Sequence, residues 1–268
     1  MYKRQVLSGG APISPALVRR IMETFGTEYV QTYGLTETSP YLTVSLLDER
    51  QTALPEEERF RLASRTGRPF EGVELKVVGE DGREVEPDDL EVGEILARGP
   101  TVTPGYWNRP EETAAAFADG WLRTGDLAVI DAEGFLNIVD RRKDVIITGG
   151  ENVYSTEVEY ALHEHPSVRE VAVIGVPDEH WGETVKAVVA LSQGAEPDEA
   201  ALIEFCREHL AGFKIPRAVE FVDELPKTAT GKIRKRSLRH RHRHRREARP
   251  ETSAQNRSRA KAGTLSSN

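Results

Sequence analysis

The chain has 268 residues, 38% of them hydrophobic and 30% charged, an ordinary balance for one large or two smaller soluble domains. No run approaches the roughly 18 apolar residues of a membrane span, and the basic pair in Met1-Tyr2-Lys3-Arg4-Gln5 leads into no apolar stretch, so these residues are not expected to act as a secretory signal. The net charge of −8 is uneven: from Arg234 onward twelve Lys/Arg face two Asp/Glu, so residues 1–233 hold 24 against 42 and form an acidic body, which speaks against a nucleic-acid-binding core.

In chain order, Val6-Leu7 predicts a strand that runs into Ser8-Gly9-Gly10-Ala11-Pro12. Ser14 suits an N-cap and Pro15 the first helical position; Leu17, Val18, Ile21, Met22 and Phe25 follow at helical spacing up to Gly26. A second strand, about 29–32, ends in Tyr33-Gly34-Leu35-Thr36-Glu37-Thr38. Residues 70–140 read as short strands with turns, among them 73–78, 94–98, 127–130 and 135–139, with a short helix at 110–117. They predict a small antiparallel sheet or distorted barrel.

From Asp140 the pattern changes. Thr156 with Glu159 resembles a capping box for a helix burying Val158, Ala161 and Leu162. Apolar strands follow at 171–176 and 185–191, a helix from near Asp198, and a strand at 218–222. This α+β module of about 100 residues has a plausible domain size. Beyond residue 239 the Arg/His-rich and Ser/Ala-rich composition predicts disorder over 240–268, because little apolar surface is available to offset ordering entropy.

Three loops carry candidate chemistry. Gly9-Gly10-Ala11-Pro12 lets a flat ligand approach the backbone. Tyr33-Gly34-Leu35-Thr36-Glu37 offers an aromatic face, a hydroxyl and a carboxylate at one strand end, and Thr124-Gly125-Asp126 sets a carboxylate after a tight turn, suited to a ribose diol. Each alone is as well read as a turn with a solvated polar residue. In order with Asp140-Arg141-Arg142-Lys143-Asp144 and Pro226-Lys227-Thr228-Ala229-Thr230-Gly231-Lys232, over about residues 6–239, the series resembles the adenylate-forming superfamily of acyl-CoA synthetases, luciferases and peptide-synthetase adenylation domains.

That resemblance implies the C-terminal part of a large α/β adenylation domain (1–139) and a small α+β mobile lid (140–239). It implies ATP, Mg²⁺ and CoA, with a carboxylic acid as co-substrate. Gly10, Ala11 and Pro12 would line adenine and Tyr33, followed by Gly34, would stack on it. Thr36 would bond phosphate and Glu37 hold Mg²⁺, while Asp126, helped by Arg141, would grip the ribose. Asp140 would be the hinge, Gly149-Gly150 with Glu151-Asn152 would line the pantetheine channel, and Lys232 would stabilise charge at the α-phosphate. The stretch from Tyr33 to Pro40 looks most like medium- and long-chain fatty-acyl-CoA synthetases, with aryl and short branched acids as the alternatives, because most of the pocket wall lies outside this sequence. Family members are longer, and their phosphate-binding Ser/Thr/Gly-rich loop precedes the matching region. Residues 1–5 resemble a foreign leader rather than the family pattern. A catalytically inert fragment and a non-catalytic AMP/CoA-binding module are therefore the competing readings.

Several features favour plainer roles. Gly231-Lys232 is no Walker loop, because Pro226 stands where the first glycine belongs and Ile233 where Ser/Thr belongs. His163-Glu164-His165 has the wrong spacing for a helical zinc pair. Cys206, the one cysteine, excludes an internal disulfide, fits a reducing cytoplasm and reads as a core thiol on an apolar helix face. Trp181 reads equally as a CoA-channel or core aromatic, and Arg65 and Arg68 as solvated charges. His240, His242 and His244 read as part of an unstructured appendix. The sequence sets no oligomeric state.

Overall fold

The computed structural model describes residues 5–229 and 231–247, the last five as backbone alone. It divides into two compact units: residues up to Val145 with Tyr154–Pro166, and Ile146–Val153 with the chain from Ser167 onward.

The first unit opens with β1 (Gln5–Gly9) and β2 (Glu28–Tyr33), parallel, with Leu7 opposite Val30. Helix α1 (Pro15–Phe25) connects them: Ser14 accepts the Leu17 N–H, Pro15 opens the helix, and Gly26 ends it at φ 60°. Strands β3 (Thr43–Val44) and β4 (Arg68–Pro69) extend the sheet in the order β1-β2-β3-β4. Two helices between them, α2 (Glu49–Thr52) and α3 (Glu56–Ser64), were not expected from the charge-dense sequence. Four Glu and three Arg in this stretch mask the apolar side of α3, where Phe60 and Ala63 pack with Val18 and Tyr29.

A second sheet, antiparallel, answers the first of the two expectations for this region, a small antiparallel sheet or a distorted barrel. It comprises β5 (Glu74–Val78), β6 (Gly93–Arg98), β7 (Phe117–Ala118), β8 (Trp121–Ile130) and β9 (Leu136–Arg141), with α4 (Pro110–Ala116) leading into β7. Its order is β5-β6-β8-β7, with β9 also on β8. Val77, Ile95, Ala128 and Leu136 form its core. Arg65 is not solvated: it is 4% exposed and forks onto Asp89 at 2.9 and 2.6 Å. The Phe135 carbonyl takes a further Arg65 bond at 3.0 Å. Burial is tolerated because the guanidinium is paired.

Helix α5 (Ser155–His163) also belongs to this unit. The expected capping box of Thr156 and Glu159 does not form. The helix starts two residues earlier, with Tyr154 at the cap position and no side-chain cap bond from it. Asp140 supplies the cap from β9 instead, accepting both the Ser155 N–H and the Ser155 hydroxyl. A carboxylate there satisfies an orphan donor and complements the helix dipole.

The second unit is one mixed sheet with two helices. Strands β10 (Ile146–Thr148) and β11 (Glu151–Val153) form a hairpin; β12 (Val168–Asp178) and β13 (Gly182–Leu191) form a longer one. After α6 (Glu199–His209), capped by Asp198, β14 (Ala218–Phe221) pairs in parallel with β13. Helix α7 (Lys235–Glu247) corrects the expected disorder over its first residues. Leu238 sits in a core with Ala172, Ile174, Val188 and Leu225. His242 lies 3.1 Å from Glu220, so this one-sided anchoring holds an otherwise polar helix. The remainder of the predicted disorder, 248–268, lies outside the described residues.

Candidate functional site

Three groups chosen from separate loops meet in the first unit. Tyr33, at the end of β2, donates its phenol to Asp126 Oδ2 at 2.8 Å. Arg141, opposite Asp126 across β8 and β9, lies 3.2 Å from Oδ1. Asp126 is 4% exposed. Burial raises its pKa, opposed by the Tyr33 hydrogen bond and then by Arg141. Burial also raises the Tyr33 phenol, with the Asp126 charge as the next cause. A partly compensated carboxylate with an aromatic ring and a cation beside it suits a neutral diol, whose hydroxyls donate to it.

The Gly10-Ala11-Pro12 segment follows β1 and is exposed. Gly10 has φ 90°, a conformation that favours glycine. Its neighbour is held from beneath: Gln31, buried in β2, donates Nε2 to the Ala11 carbonyl at 2.8 Å and accepts the Tyr29 phenol. Gly34 has a different reason to be glycine, since a Cβ there would lie 1.8 Å from the Pro40 carbonyl oxygen.

Thr36 and Glu37 occupy a 3₁₀ turn, Thr36–Thr38, with Thr36 exposed and Glu37 half-buried. Thr38 is buried and its hydroxyl accepts the Leu35 N–H at 2.9 Å, fixing the turn. Glu37 Oε1 accepts the Tyr106 phenol at 2.9 Å, and the Glu37 carbonyl accepts the Thr103 N–H at 2.7 Å. This hydrogen bond is the first cause of a raised Tyr106 pKa. Among the described residues there is no cluster of three or more His, Cys, Asp or Glu able to cage a metal. One carboxylate completed by phosphate oxygens and water is the donor set Mg²⁺ favours, so Glu37 fits that ion.

Asp140 is buried, and both carboxylate oxygens are occupied: Oδ1 by the Arg141 N–H at 2.7 Å and Oδ2 by Ser155. In the second unit, Gly149 and Gly150 are the two central residues of the β10–β11 turn, with φ 59° and 88°. Positive φ at both positions is the type I′ requirement and explains the glycine pair. A Cβ on Gly149 would stand 2.8 Å from the Trp181 ring, and its N–H donates to the Trp181 carbonyl at 2.9 Å. Trp181 is thus a turn partner, 38% exposed, with Arg217 stacked 4.7 Å from its ring centroid. Glu151 and Asn152 are exposed. Lys232 is exposed as well, in a loop closed by Thr228 N–H to Lys232 O at 2.8 Å and a bridge between Lys227 and Ile233. Thr230 lies outside the described residues.

Other candidates take structural places. Arg68 stacks 4.5 Å from the Phe135 centroid. Cys206 is fully buried, and burial pushes its thiol up to about 11, as expected of a core thiol. His163 and Glu164 are exposed at the end of α5. His240 is exposed on α7 beside the anchored His242, and only the backbone of His244 is described.

Sequence reading missed Gln31, Glu94, Tyr106 and Arg142. The available signal for Gln31 and Glu94 was a polar side chain inside an apolar strand, Tyr29-Val30-Gln31 and Gly93-Glu94-Ile95-Leu96-Ala97. Such groups are buried only with partners.

Two family models match: "AMP-binding enzyme" over residues 3–107 and "AMP-binding enzyme C-terminal domain" over 157–232. The chain is 46% identical over 236 residues to a 2-succinylbenzoate–CoA ligase of Geobacillus kaustophilus, covering 88% of this chain and 46% of that one. It is 43% identical over 235 residues to a long-chain-fatty-acid–CoA ligase of Bacillus subtilis, covering 88% and 40%. The ATP-bound structure of MatB from Rhodopseudomonas palustris superposes with a TM-score of 0.78 at 38% identity, over 88% of this chain and 44% of that one. The chain therefore spans less than half the length of these relatives.

Proposed function

The chain belongs to the AMP-binding enzyme family, and from that premise we propose that it carries the adenosine-binding and lid parts of an ATP-dependent acid–CoA ligase. The observation that carries the reading is the Tyr33–Asp126–Arg141 constellation, in which a buried carboxylate stands beside an aromatic ring and a cation. Asp126 accepts both ribose hydroxyls, and Tyr33 offers its ring to adenine along the Gly10-Ala11-Pro12 backbone. Thr36 donates to phosphate. Glu37 would hold Mg²⁺, which would offset part of the triphosphate's negative charge.

In the first half-reaction a substrate carboxylate oxygen attacks the α-phosphorus and pyrophosphate leaves, giving acyl-AMP. Lys232 brings its ammonium to the charge developing between them, the kind of stabilisation that acts most strongly in a water-poor site. In the second, the CoA thiol adds to the acyl carbonyl as its proton departs, and AMP leaves. The lid, drawn at residues 140–239 on the family pattern although α5 packs with the first unit, turns at Asp140 between the halves and presents the Gly149-Gly150 turn to the pantetheine arm. Trp181 supports that turn by packing against Gly149. The substrate class is medium- or long-chain fatty acid, on the pattern from Tyr33 to Pro40, and the setting is cytoplasmic; among the described residues no helix is long and apolar enough to cross a membrane.

The test is calorimetric binding of AMP to the 268-residue chain, followed by ATP–pyrophosphate exchange and by CoA-dependent consumption of preformed acyl-AMP across fatty and aryl acids. Binding of AMP that Asp126→Ala abolishes is expected. Lys232→Ala should lower exchange and spare thioester formation; equal loss of both refutes the two-conformation scheme. Nucleotide binding without either half-reaction would instead make the chain a binding module, and no AMP binding would refute the reading.

A further inference from the structure

Strand β8 does not pair evenly with β6. Glu94 stands opposite Leu127 and Leu96 opposite Arg123, so one β6 residue, Ile95, faces three on β8: Thr124, Gly125 and Asp126. The surplus is accommodated as a bulge with Gly125 at φ 73°. A bulge redirects a side chain at the expense of ladder bonds, and the freed backbone groups need other partners.

Four of those groups have named partners. The Thr124 hydroxyl donates to the Ile95 carbonyl at 2.8 Å and accepts the Asp126 N–H at 3.1 Å. The Gly125 carbonyl accepts the Arg142 N–H at 2.9 Å. The Gly125 N–H goes to Glu94 Oε1 at 3.2 Å, while Glu94 Oε2 meets Arg142 at 2.9 Å and Arg123 at 3.4 Å. The Glu94 side chain is 9% exposed, whereas Arg123 and Arg142 are 47% and 58% exposed. A desolvated carboxylate within an apolar strand is costly unless its bonds are specific. Here one carboxylate oxygen holds the N–H of the glycine next to Asp126, and the other holds Arg142, whose own N–H bonds that glycine's carbonyl.

We propose that Glu94 is a positioning residue for nucleotide recognition: it holds the β8 bulge in the form that aims Asp126 at the ribose diol. The inference rests on the ribose assignment of Asp126. Glu94 itself touches no nucleotide. Because both arginines are largely solvated, removing the carboxylate strands no buried charge, and the chain should still fold.

The experiment compares Glu94→Ala and Glu94→Gln with the unmodified chain, by amide hydrogen exchange at Gly125 and by calorimetric binding of AMP and of 2′,3′-dideoxy-AMP. Alanine removes the acceptor; glutamine keeps an oxygen at Oε1. In Glu94→Ala, Gly125 exchange should rise by about tenfold or more and AMP affinity should fall about tenfold, with the dideoxy nucleotide unaffected. Glu94→Gln should restore both toward the unmodified values. An unchanged Gly125 exchange rate, an unchanged preference for AMP in Glu94→Ala, or equal weakening of both nucleotides would each overturn the inference while leaving the ribose assignment standing. An unmodified chain that binds AMP but shows no preference for it over the dideoxy nucleotide would refute the ribose assignment, and this inference with it.

Discussion

Removing the Asp140 carboxylate tests whether a strand residue caps α5. Asp140 is 4% exposed, Ser155 is wholly buried, and the carboxylate takes three donors: the Arg141 N–H and both donors of Ser155. Hydrogen bonds to a charged group contribute roughly 1.5–3 kcal/mol, and an anion at a helix start adds roughly 0.3–1 kcal/mol. Allowing for some rescue by water, Asp140→Ala should cost about 3 kcal/mol, which for a unit of this size lowers Tm by about 6–12 °C. Asp140→Asn keeps one acceptor oxygen and should cost about half as much. Ser155→Ala loses only the hydroxyl, about 1 kcal/mol, so the double variant with Asp140→Ala should show a coupling of about 1 kcal/mol. Urea unfolding followed by far-ultraviolet circular dichroism supplies all four corners of the cycle. A stability for Asp140→Ala within about 0.5 kcal/mol of the unmodified chain, or strict additivity with Ser155→Ala, would refute the capping argument.

Asp126 makes a prediction about pH. Because burial raises its pKa, the folded state binds this proton more tightly than the unfolded chain, so its contribution to stability is full at low pH. That contribution is lost as pH rises from the unfolded value through the raised folded one. Asp126→Asn should therefore flatten the fall in Tm above about pH 4, and parallel profiles would count against it. The Tyr106 phenol, raised first by Glu37, should titrate at lower pH in Glu37→Gln, read as the ultraviolet difference from a matched Tyr106→Phe variant; an unmoved titration denies the contact. With its thiol pushed up to about 11 and fully buried, Cys206 should resist iodoacetamide at about pH 8 until urea unfolds the second unit; labelling at a free-thiol rate under native conditions would contradict that burial. Gly149→Ala puts a Cβ at φ 59° against Trp181 and should destabilise the second unit by at least about 1–2 kcal/mol, with altered Trp181 fluorescence. A stability unchanged from the parent would show that the turn relaxes freely.

Much of the fold was legible because local signals agreed with one another. Ser14, Pro15 and Gly26 bracket α1 as capping rules require, alternation of apolar residues marks β5, and a continuous apolar run marks β12. Where reading failed, a distant group had replaced a local one. Thr156 and Glu159 have the spacing of a capping box, yet Asp140, fifteen residues before Ser155, occupies the position instead. Charge density hid α2 and α3, because the few apolar side chains of α3 suffice once α1 and β2 cover them. The same arithmetic, one leucine and one histidine anchored, makes a helix of the Arg/His-rich segment at α7. Single-sequence patterns register what a residue prefers by itself; they do not register a partner brought in by topology.

The candidate site divides along the same line. The positions proposed to face ligand were legible by composition, since Gly10, Gly125, Gly149 and Gly150 all carry positive φ and so had to be glycine or pay strain. What fixes those irregular segments was not legible, because the anchors lie on other elements: Gln31 in β2 behind Ala11, Glu94 in β6 behind Gly125, and Trp181, in the β12–β13 turn, against Gly149. A glycine loop is by itself free to take many shapes. It becomes a recognition surface only when a second element removes that freedom, through a buried polar side chain or a packed ring. In this chain the anchors at Gln31 and Glu94 sit within strands, where neighbouring ladder bonds hold them rigid, and the glycines sit where the ladder is interrupted. Rigid strand and irregular loop are thus paired residue by residue, so substitutions at Gln31 or Glu94 should act on nucleotide recognition through the loops they hold.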